Sequence, residues 1–543
     1  MMKRILTAAL LALLAFEAGA QSWVDAVNFT DNDYLGTARS LGMGNAMTAV
    51  GGDLGSLTLN PAGSAVATYS QFTITPGLSV STVVGQGTTL NGADFGFEYR
   101  DRNNMTRMNM PNVGAVMVYD THNRSGLKRV SFGVVGNMTR DFTNRLRAHG
   151  TNSETSLAGS LASQADGYTE SVLNGSFWQS NIPSWETMVG YQGGIFDPIV
   201  SGGTGYYGLT ERVLDNGNIV LADKIGQYYG LERKGFKYDI LMNLGLDFND
   251  RFYVGANIGI TSLSYRSDET RSEEALSSGN YPTGFQNLRV RSAYRDDADG
   301  IYAKIGFIAR PVDGLRIGAA IQTPTLFTVS ETYALEGYSK ADDIQMSASS
   351  PTDDWYYNLK TPFRVNAGVA YTIGKVALVS ADYEYCNYRQ MRFSASYDED
   401  YYYDFSDTNM DIKDITGAVH AFRVGGEIKA APELALRVGY NLTTGAQYNW
   451  LNDDFTVDPL NSEERLAQLK HAVTFGVGYS SPGSFFADLA VRFLFLPDEY
   501  TIPYYYYGVD NNGNTYKNTA ILTPEICAQS SLCNVLMTLG WRF

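Results

Sequence analysis

Residues 485–495 read FFADLAVRFLF, and their hydropathy alternates with a period of two. One face carries only apolar side chains, whereas Asp488 and Arg492 lie on the other face. Successive side chains of a β-strand point to opposite faces, so the pattern predicts a strand with one apolar and one polar face. A soluble sheet with one wet face is the alternative. The length argues against it, since soluble strands have about 5 or 6 residues and tilted membrane-spanning strands about 9 to 11.

The same alternation recurs along the chain. The fourteen predicted strands are residues 69–81, 113–120, 130–142, 236–250, 251–267, 300–311, 314–333, 362–374, 375–393, 419–431, 433–445, 470–481, 484–501 and 532–543. Six connections are short, every other connection contains 24 residues or more, and the two kinds alternate. Bacterial outer-membrane barrels have this order, with an even number of strands, short periplasmic turns and long extracellular loops.

The strand count and the loop order predict an all-β fold, a 14-stranded antiparallel transmembrane β-barrel in the bacterial outer membrane. Both termini are predicted to lie in the periplasm. Closure is required because an open sheet edge in hydrocarbon would leave backbone N–H and C=O groups unpaired. Aromatic residues form 13% of the chain, as expected if Tyr and Trp form girdles at the two membrane interfaces. The terminal Trp541-Arg542-Phe543 resembles the signal that the outer-membrane assembly machinery reads.

The composition excludes several other classes of protein. Only 18% of the residues are charged, whereas soluble domains carry about 25%. After the leader, no window holds about 18 consecutive apolar residues, so no transmembrane helix is predicted. The net charge of −16 and the lack of a basic stripe exclude nucleic acid as a partner. The four histidines form no metal-binding motif, and no metal or cofactor is predicted.

The first part of the chain divides into two segments. Residues 1–20 contain Lys3, Arg4, an apolar run and a small-residue site at 18–20, which predicts a secretory signal peptide. Residues 21–68 do not alternate and are rich in Gly, Ala and Ser. A barrel of fourteen strands is too wide for its own side chains to fill. We therefore expect residues 21–68 to form a hatch inside the barrel of residues 69–543, in which 143–235 is a long extracellular loop.

Three stretches of this segment carry a resemblance to a known family. Residues 37–46 read TARSLGMGNA, residues 49–53 read AVGGD, and residues 60–63 read NPAG. They resemble the N-terminal hatch of the FadL/TodX family of outer-membrane transporters for long-chain fatty acids and aromatic hydrocarbons, in the version of Bacteroidetes-type homologues. The resemblance implies that the matching residues belong to the hatch and its gating; they are Gly42, Gly44, Asn60, Pro61 and Ala62.

The resemblance implies passive transport by a monomer, without energy coupling. Its ligands would be hydrophobic small molecules, namely long-chain fatty acids or aromatic hydrocarbons, and it would lie among outer-membrane lipid and lipopolysaccharide. The ligand would be captured between the extracellular loops, and a shift of the hatch would release it sideways where the third strand is kinked. Gly within a strand marks a bulge or bend, so Gly136 and Asn137 are the candidate kink. The alternative is an ordinary small residue facing lipid or lumen.

Polar and reactive side chains supply further candidates. Lumen-facing cations could bind the carboxylate head group of a ligand, or each could pair with a lumen acid; they are Arg316, Arg364, Arg423 and Arg437. Cys527 and Cys533 are predicted to form a disulfide in the last long loop, and Cys386 to be an unpaired lumen thiol. Tyr-rich residues 401–403 and 504–507 could capture ligand or pack within loops. Residues 296–300 read DDADG but lack EF-hand spacing, which favours a solvated loop.

Four other functions stay open at this point. An adhesin or structural barrel would use loop 143–235, in which residues 215–218 predict a hairpin and hence a small folded cap. An outer-membrane receptor for another hydrophobic ligand, such as haem, would share the fold. A barrel enzyme would need a nucleophile and a base, for which Ser484 and His471 lie on adjacent strands but near opposite ends. An open diffusion pore disagrees with a hatch.

Overall fold

Fourteen antiparallel strands form one closed barrel in the computed structural model. The structure describes residues 22–88, 96–176, 178, 183–374, 376–396, 404–451, 456–504, 508–509, 515–516 and 524–543. The strands are β1 (Gln71–Gly87), β2 (Asp101–Asp120), β3 (Leu127–Asp141, continued by Asn144–Asn152), β4 (Ile225–Phe248), β5 (Phe252–Ala275), β6 (Phe285–Ala309), β7 (Leu315–Gln322 and Leu326–Ala341), β8 (Asp353–Lys360 and Arg364–Ile373), β9 (Ala377–Asn387 and Arg392–Ala395), β10 (Ala418–Lys429), β11 (Leu434–Thr443), β12 (Lys470–Ser480), β13 (Phe485–Phe495 and Glu499–Thr501) and β14 (Ile526–Arg542).

Each strand pairs with the next, and β14 pairs with β1 to close the ring. The closing ladder runs from Gln71 opposite Arg542 to Gly87 opposite Ile526. No sheet edge is therefore left over between the first and last strands, as a barrel in hydrocarbon requires. This confirms the predicted fold class and the predicted number of strands.

The two faces of the wall differ in polarity. Large apolar side chains point outward and are exposed, among them Phe132, Met242 and Ile305. Inward positions carry buried polar groups such as Asn366 and Arg492. An apolar outer belt with a polar interior is the arrangement of a transmembrane barrel. Among the described helices, none is long and apolar enough to span a membrane.

Short turns join the strands at one end of the barrel, the short-turn end, and long loops join them at the other, the long-loop end. The turn between β4 and β5 comprises residues 249–251; Asn249 and Asp250 have positive φ angles of 60° and 58°, and the amide of Arg251 donates to the carbonyl oxygen of Phe248. Two central residues with positive φ define the type I′ turn that suits the twist of a hairpin.

Several strands extend further toward the long-loop end than the sequence predicts. β5 and β6 pair continuously from Phe252 opposite Ala309 to Glu274 opposite Asn287. Residues 296–300 therefore lie within β6, and the prediction of a solvated loop there is wrong. Asp296 is fully buried, because it faces inward from this extension. The extension escaped prediction because residues 268–274 of β5 are polar on both faces, and in β6 Asp296, Asp297 and Asp299 interrupt the alternation.

The predicted large loop contains a folded cap. Its described helices are α3 (Leu157–Ala165), α4 (Glu170–Leu173) and α5 (Trp185–Gln192), which follow α1 (Trp23–Thr30) and α2 (Ala38–Gly42) in the chain. Its described short strands are Phe196–Pro198, Tyr206–Gly208, Glu211–Val213 and Ile219–Leu221. The last two form the predicted hairpin around residues 215–218. Apolar side chains of α3 and of the cap strands pack against the extension of β6 through Phe285 and Leu288.

The remaining loops add short elements. The helices α6 (Ser406–Ile415) and α7 (Ser462–Ala467) lie at the long-loop end, together with 3₁₀ turns at Ser278–Asn280 and Tyr388–Gln390. Short strands form at Ile344–Ser349, Asn449–Leu451, Val457–Pro459, Gly508–Val509 and Thr515–Tyr516. Helix α6 contributes Ile412 to the cluster of apolar side chains that covers α1.

Candidate functional site: the barrel interior

Residues 22–67, here called the N-terminal segment, lie inside the barrel. The segment contains α1, α2 and two 3₁₀ helices, Leu54–Thr58 and Pro61–Val66. Each element begins with a side-chain cap, for example Ser22 and Asp25 in a reciprocal capping box on α1. Caps satisfy backbone N–H groups that the short helices leave unpaired, so the segment can be buried without losing hydrogen bonds.

The second part of this segment, residues 37–67, rests directly on the barrel wall. Eight glycines, one on each of eight strands, face it and are here called the glycine girdle; they are Gly245, Gly255, Gly306, Gly318, Gly368, Gly425, Gly439 and Gly476. A Cβ atom at Gly255 would lie within 3.0 Å of the Pro61 and Ala62 backbone, and one at Gly439 within 3.0 Å of Gly44. Only a residue without a side chain permits this approach of two backbones.

The predicted hatch residues lie at this contact. Gly42 approaches the backbone of Gly476, and Gly44 has a φ of +62° that an L side chain rarely adopts. The Asn60 side chain donates to the carbonyl oxygens of Thr48, at 2.7 Å, and Phe307, at 3.0 Å. Its Oδ1 accepts from the amide of Ala62 at 3.0 Å and thereby caps the second 3₁₀ helix. The motif therefore joins the segment to the wall.

The first part of the segment is residues 22–36, in which α1 and Asp31 are held by side chains of the wall. The Lys237 ammonium donates to the carbonyl oxygens of Phe29, at 2.8 Å, and Asp31, at 2.6 Å. The Arg364 guanidinium donates to the carbonyl oxygen of Thr30 at 2.8 Å. These cations meet the C-terminal end of α1, where the helix dipole and the free carbonyls favour positive charge.

The Asp31 carboxylate lies in a cage of donors from three strands. Arg140 of β3 donates to its Oδ2 at 2.6 Å, and Lys470 of β12 pairs with the same oxygen. The hydroxyl of Tyr388, in the 3₁₀ turn between the two parts of β9, donates to Oδ1 at 3.4 Å. Above this cage, Phe29 belongs to a large buried cluster of aromatic and aliphatic side chains from the barrel and the loops.

The ladder between β2 and β3 is incomplete. It runs from Asp120 opposite Arg129 to Asn112 opposite Asn137 and pairs no residue beyond them toward the long-loop end. On its other side β3 continues along β4, with a register shift between Met138 and Arg140. This break lies at the predicted kink: Asn137 is its last paired residue, and the irregularity follows directly after it.

The N-terminal segment binds the backbone of β3 at this irregularity. The amides of Asp33 and Leu35 donate to the carbonyl oxygens of Thr139, at 2.7 Å, and Met138, at 2.9 Å. The Asn137 side chain donates to Thr58 Oγ1 at 2.8 Å. The segment thus satisfies backbone groups that the missing strand pairing would otherwise leave free.

Side chains bridge the break beyond Asn112. Arg107 of β2 donates to the carbonyl oxygen of Gly235 on β4 at 2.7 Å. Asn109 donates to Asp141 of β3 at 3.1 Å. The Tyr238 hydroxyl of β4 donates to the carbonyl oxygen of Met110 at 2.6 Å. This part of the wall is joined by single side-chain hydrogen bonds, whereas a continuous ladder joins strands such as β4 and β5.

Two of the predicted head-group cations, Arg364 and Arg423, share one acid. Both pair with Glu384, Arg423 at 2.8 Å, and the side chains of all three are nearly buried. Arg364 in addition holds the end of α1. Their charges are therefore engaged within the wall and by the N-terminal segment.

The other two predicted cations also have partners. Arg437 pairs with Glu427 at 2.6 Å and with Asp488 at 2.5 Å. Arg316 donates to the carbonyl oxygen of Val50 at 2.5 Å. Pairing with a lumen acid, the alternative that the sequence left open, is observed for Arg364, Arg423 and Arg437, whereas Arg316 contacts the N-terminal segment. A role in binding a head group stays a prediction.

The structure contradicts the predicted disulfide between Cys527 and Cys533. Both thiols are free and lie on β14, not in a loop. Six residues of extended strand separate them by about 20 Å, whereas a disulfide needs Cα atoms within about 7 Å. Cys386 is a buried free thiol, as predicted. Tyr504 is buried within the cap cluster, and residues 401–403 and 505–507 lie outside the described residues.

Other expectations concern catalytic and metal sites. His471 pairs with Phe495 in the β12–β13 ladder, whereas Ser484 precedes the other end of that hairpin, so the two side chains do not meet. Within the part of the chain that the structure describes, no three His, Cys, Asp or Glu residues form a metal-binding group.

Sequence reasoning missed the Asp31 cage and the glycine girdle. The girdle had a signal, because glycines recur at inward-facing positions of successive strands, where Gly weakens a strand unless a close approach requires it. The cage had none, since Asp31, Arg140 and Lys470 lie far apart in the chain.

Three of the solved structures similar to this chain cover almost all of it. The toluene transporter TodX of Pseudomonas putida has 12% identity and a TM-score of 0.48, over 94% of this chain and 99% of that chain. A FadL homologue of Pseudomonas aeruginosa has 12% identity and a TM-score of 0.48, over 95% and 98%. The monoaromatic hydrocarbon channel CymD has 10% identity and a TM-score of 0.44, over 94% and 99%.

No protein-family model and no curated protein matches the chain. Two of these structures, TodX and the FadL homologue, carry the names of the family that the motif of the N-terminal segment resembles. Identities this low concern the fold alone, and the strand register of this chain establishes its barrel independently.

Proposed function

We propose that this chain is an outer-membrane transporter of the FadL type, which takes up long-chain fatty acids or similar hydrophobic compounds passively. The ligand leaves sideways through the break between β2 and β3, and movement of the N-terminal segment opens that path. The observation that carries the proposal is the break itself. Strand pairing between β2 and β3 ends at Asn112 and Asn137. The N-terminal segment is hydrogen-bonded to the adjacent carbonyl oxygens of Met138 and Thr139.

Physical reasons support a path at this position. A lateral path for an apolar molecule must avoid breaking many backbone hydrogen bonds in hydrocarbon, where each unpaired group costs several kcal/mol. Opening an intact ladder would break many, whereas the break is bridged by side chains such as Asn109 and Tyr238. The apolar cluster around Phe29 offers a route for a hydrophobic ligand from the long-loop end.

The proposal includes the placement of the chain. The signal peptide in residues 1–20 exports it, and the short-turn end with both termini faces the periplasm, as in outer-membrane barrels. The closed ring of strands is consistent with a monomer. Transport rather than catalysis is its activity.

A cross-link across the break tests the proposal. Asn109→Cys and Asp141→Cys would place two thiols where the native side chains are hydrogen-bonded, in a background with the three native cysteines replaced by Ser. Thr82→Cys with Asn104→Cys is the matched control, because that side-chain pair, with a 3.0 Å hydrogen bond, bridges the intact β1–β2 ladder. The measurement is uptake of radiolabelled palmitate by cells after treatment with a short, cleavable bis-thiol reagent.

We expect the cross-link between β2 and β3 to stop uptake and cleavage of the reagent to restore it. The control pair should transport palmitate equally before and after cross-linking. Undiminished uptake with the break cross-linked would show that release does not occur there. Failure of the untreated protein to take up palmitate would refute the proposed transport itself.

A further inference from the structure

We propose that Asp296 and Glu331 form a calcium-binding site on the inner face of the wall, where β6 and β7 extend beyond the membrane toward the long-loop end. A bound Ca²⁺ ion joins the two strands and neutralises an excess of negative charge. The inference goes beyond the proposed function and does not depend on it, because the site belongs to the wall and requires no movement of the N-terminal segment.

The two acids are neighbours in the sheet. Asp296 and Glu331 are directly opposite each other in the β6–β7 ladder, and at such positions the Cβ atoms of two strands lie about 4.5 to 5.5 Å apart. Both residues have 0% exposure, so water does not screen the repulsion between their charges. On the outer face of β6, Asp299 is exposed, which places this part of the strand outside the hydrocarbon. Buried charges of this kind are paired or coordinate a metal.

The Asp296 carboxylate lacks the hydrogen bonds that its burial requires. Among the described residues, no group makes a hydrogen bond of ordinary geometry to either of its oxygens, and the same holds for the hydroxyl groups of Tyr294 and Tyr357. Tyr294 lies two residues from Asp296 on the same face of β6, and Tyr357 lies on β8 opposite Val329 of β7. The charges of Asp296 and Glu331 act on both hydroxyl groups. These oxygen atoms therefore surround one position without satisfying each other.

The surrounding charges do not compensate the pair. The ionised groups that act most strongly on Asp296 are Glu331, Asp25 and Asp297, which are all acids. The cations that face this part of the lumen are engaged elsewhere: Arg233 with Glu499, Arg271 with Glu186 and Glu269, Lys237 with the carbonyl oxygens of Phe29 and Asp31 and beside Asp239, and Arg140 and Lys470 with Asp31 and beside Asp33. Within this described part of the lumen, the acids outnumber the cations.

The chemistry of the donors selects the ion. Two carboxylates and the hydroxyl groups of Tyr294 and Tyr357 together offer about six oxygen atoms, and Ca²⁺ takes about six to eight oxygen ligands in a flexible geometry. Mg²⁺ keeps several of its waters, for which a fully buried pair leaves little room. Oxygen ligands also disfavour metals that prefer nitrogen or sulfur. A site of two acids and two hydroxyl groups differs in kind from a group of three His, Cys, Asp or Glu residues.

The ion would stabilise the part of the wall that supports the loops. Phe285 and Leu288 of the β6 extension pack against the cap, and Val329 of β7 packs in the cluster around Phe29. Repulsion between Asp296 and Glu331 weakens the ladder that connects these two clusters. Calcium removes that repulsion, so the cap and the aromatic cluster are held in place more firmly when the ion is bound.

Terbium luminescence tests the site directly. Tb³⁺ takes the oxygen ligands of Ca²⁺ and emits light when a nearby tryptophan is excited, and Trp355 is directly opposite Glu331 in the β7–β8 ladder. The purified, detergent-solubilised full chain would be freed of metal with EDTA, titrated with TbCl₃ and then challenged with CaCl₂. Asp296→Asn and Glu331→Gln each remove one ligand charge and keep the shape of the side chain. Asp299→Asn is the matched control, because it makes the same change on the outer face of the same strand.

A second measurement is the midpoint of thermal unfolding at pH 7 in CaCl₂ and in EDTA. We expect the native protein and Asp299→Asn to bind Tb³⁺ saturably and to release it to CaCl₂, and the other two variants to bind it about tenfold or more weakly. Calcium should raise the midpoint of the first two proteins by about 2 °C or more. It should leave Asp296→Asn and Glu331→Gln unchanged, and both should assemble at least as well as the native protein because their repulsion is relieved.

Two results would overturn the inference. Equal terbium binding, or equal stabilisation by calcium, in the native protein and in Asp296→Asn would place the ion elsewhere. No effect of calcium on the native protein, with a midpoint in EDTA that rises as the pH falls from about 7 to about 5, would show that Asp296 and Glu331 share a proton instead. Neither result would bear on the proposed transport.

Discussion

The two parts of the N-terminal segment differ in how the same barrel holds them. Residues 37–67 are fixed by backbone-to-backbone contact, which requires glycine in the wall, as at Gly255 and Gly439. Residues 22–32 are fixed by the ends of long side chains, chiefly Lys237 and Arg140, and residues 33–35 by amide hydrogen bonds to β3. Close packing tolerates almost no displacement, whereas ion pairs and carbonyl contacts can pass from one partner to another. The comparison teaches that a plug can be anchored in one part and exchangeable in the other.

The largest effect should follow from a side chain in the glycine girdle. Gly439→Val places atoms within 3.0 Å of the Gly44 and Met43 backbone, where no flexible side chain can give way. We expect the free energy of unfolding to fall by about 3 kcal/mol or more and little protein to assemble in the membrane. Thermal unfolding and the yield of folded barrel on unheated gels would measure this.

The control for this variant lies on the neighbouring strand. A Cβ atom at Gly426 of β10 would meet nothing closer than 3.9 Å, so Gly426→Val adds the same side chain without the clash. It should assemble and unfold as the native barrel does. Equal damage in both variants would mean that valine itself, rather than contact with the segment, causes the loss.

A smaller effect should separate the two parts of the segment. Lys237→Met removes the donor to Phe29 and Asp31, and charged hydrogen bonds contribute about 1.5 to 3 kcal/mol. We expect amides of residues 23–31 to exchange with solvent at least about tenfold faster, and those of residues 42–65 to stay protected. Hydrogen exchange measured by mass spectrometry resolves both regions.

A second Lys→Met substitution removes a contact with residues 37–67, the other part of the segment. The Lys304 ammonium donates to the carbonyl oxygen of Thr58 at 2.6 Å, so Lys304→Met removes an equivalent contact. Because the girdle remains, residues 42–65 should keep most of their protection in this variant. If either substitution exposed the whole segment at once, the two parts would be one cooperative unit and the comparison would fail.

The sequence was sufficient for the number of strands and their order. Lipid on one face and a polar lumen on the other impose an alternating hydropathy on each strand. This pattern can be recognised without knowing which strands pair, as in residues 485–495. Outside the membrane the two faces no longer differ in polarity. Residues 101–110 of β2 read DRNNMTRMNM, polar residues fall on both faces, and the strand there was predicted as loop.

The site was predictable only where a local motif carries it. Residues 60–62 cap a 3₁₀ helix and contact the wall, so a motif of three consecutive residues is enough to predict their role. Asp31, Arg140 and Lys470 meet only because the barrel closes in one register and its strands surround the segment. Nothing in the spacing of three such residues along the chain indicates that they meet.

The smallest effect concerns the loop helix that covers the exchangeable part. Burial, followed by repulsion from Asp407 and Asp414, raises the pKa of Asp411 on α6 to about 6. A carboxyl group whose folded pKa exceeds its unfolded value of 3.8 destabilises the fold when ionised. The cost is therefore present above about pH 6 and disappears as the pH falls toward about 4.

Asp411→Asn removes this cost and should stabilise α6 near neutral pH by less than about 1 kcal/mol, since the side chain is partly exposed to solvent. Because Ile412 of α6 packs in the cluster around Phe29, residues 23–30 should exchange more slowly in this variant at pH 7 and equally at pH 4. Asp313→Asn, in an exposed short turn, should change neither the stability of α6 nor the exchange of residues 23–30. Slower exchange of residues 42–65 as well would show that the two parts of the segment are coupled, because α6 packs against α1 in the first part.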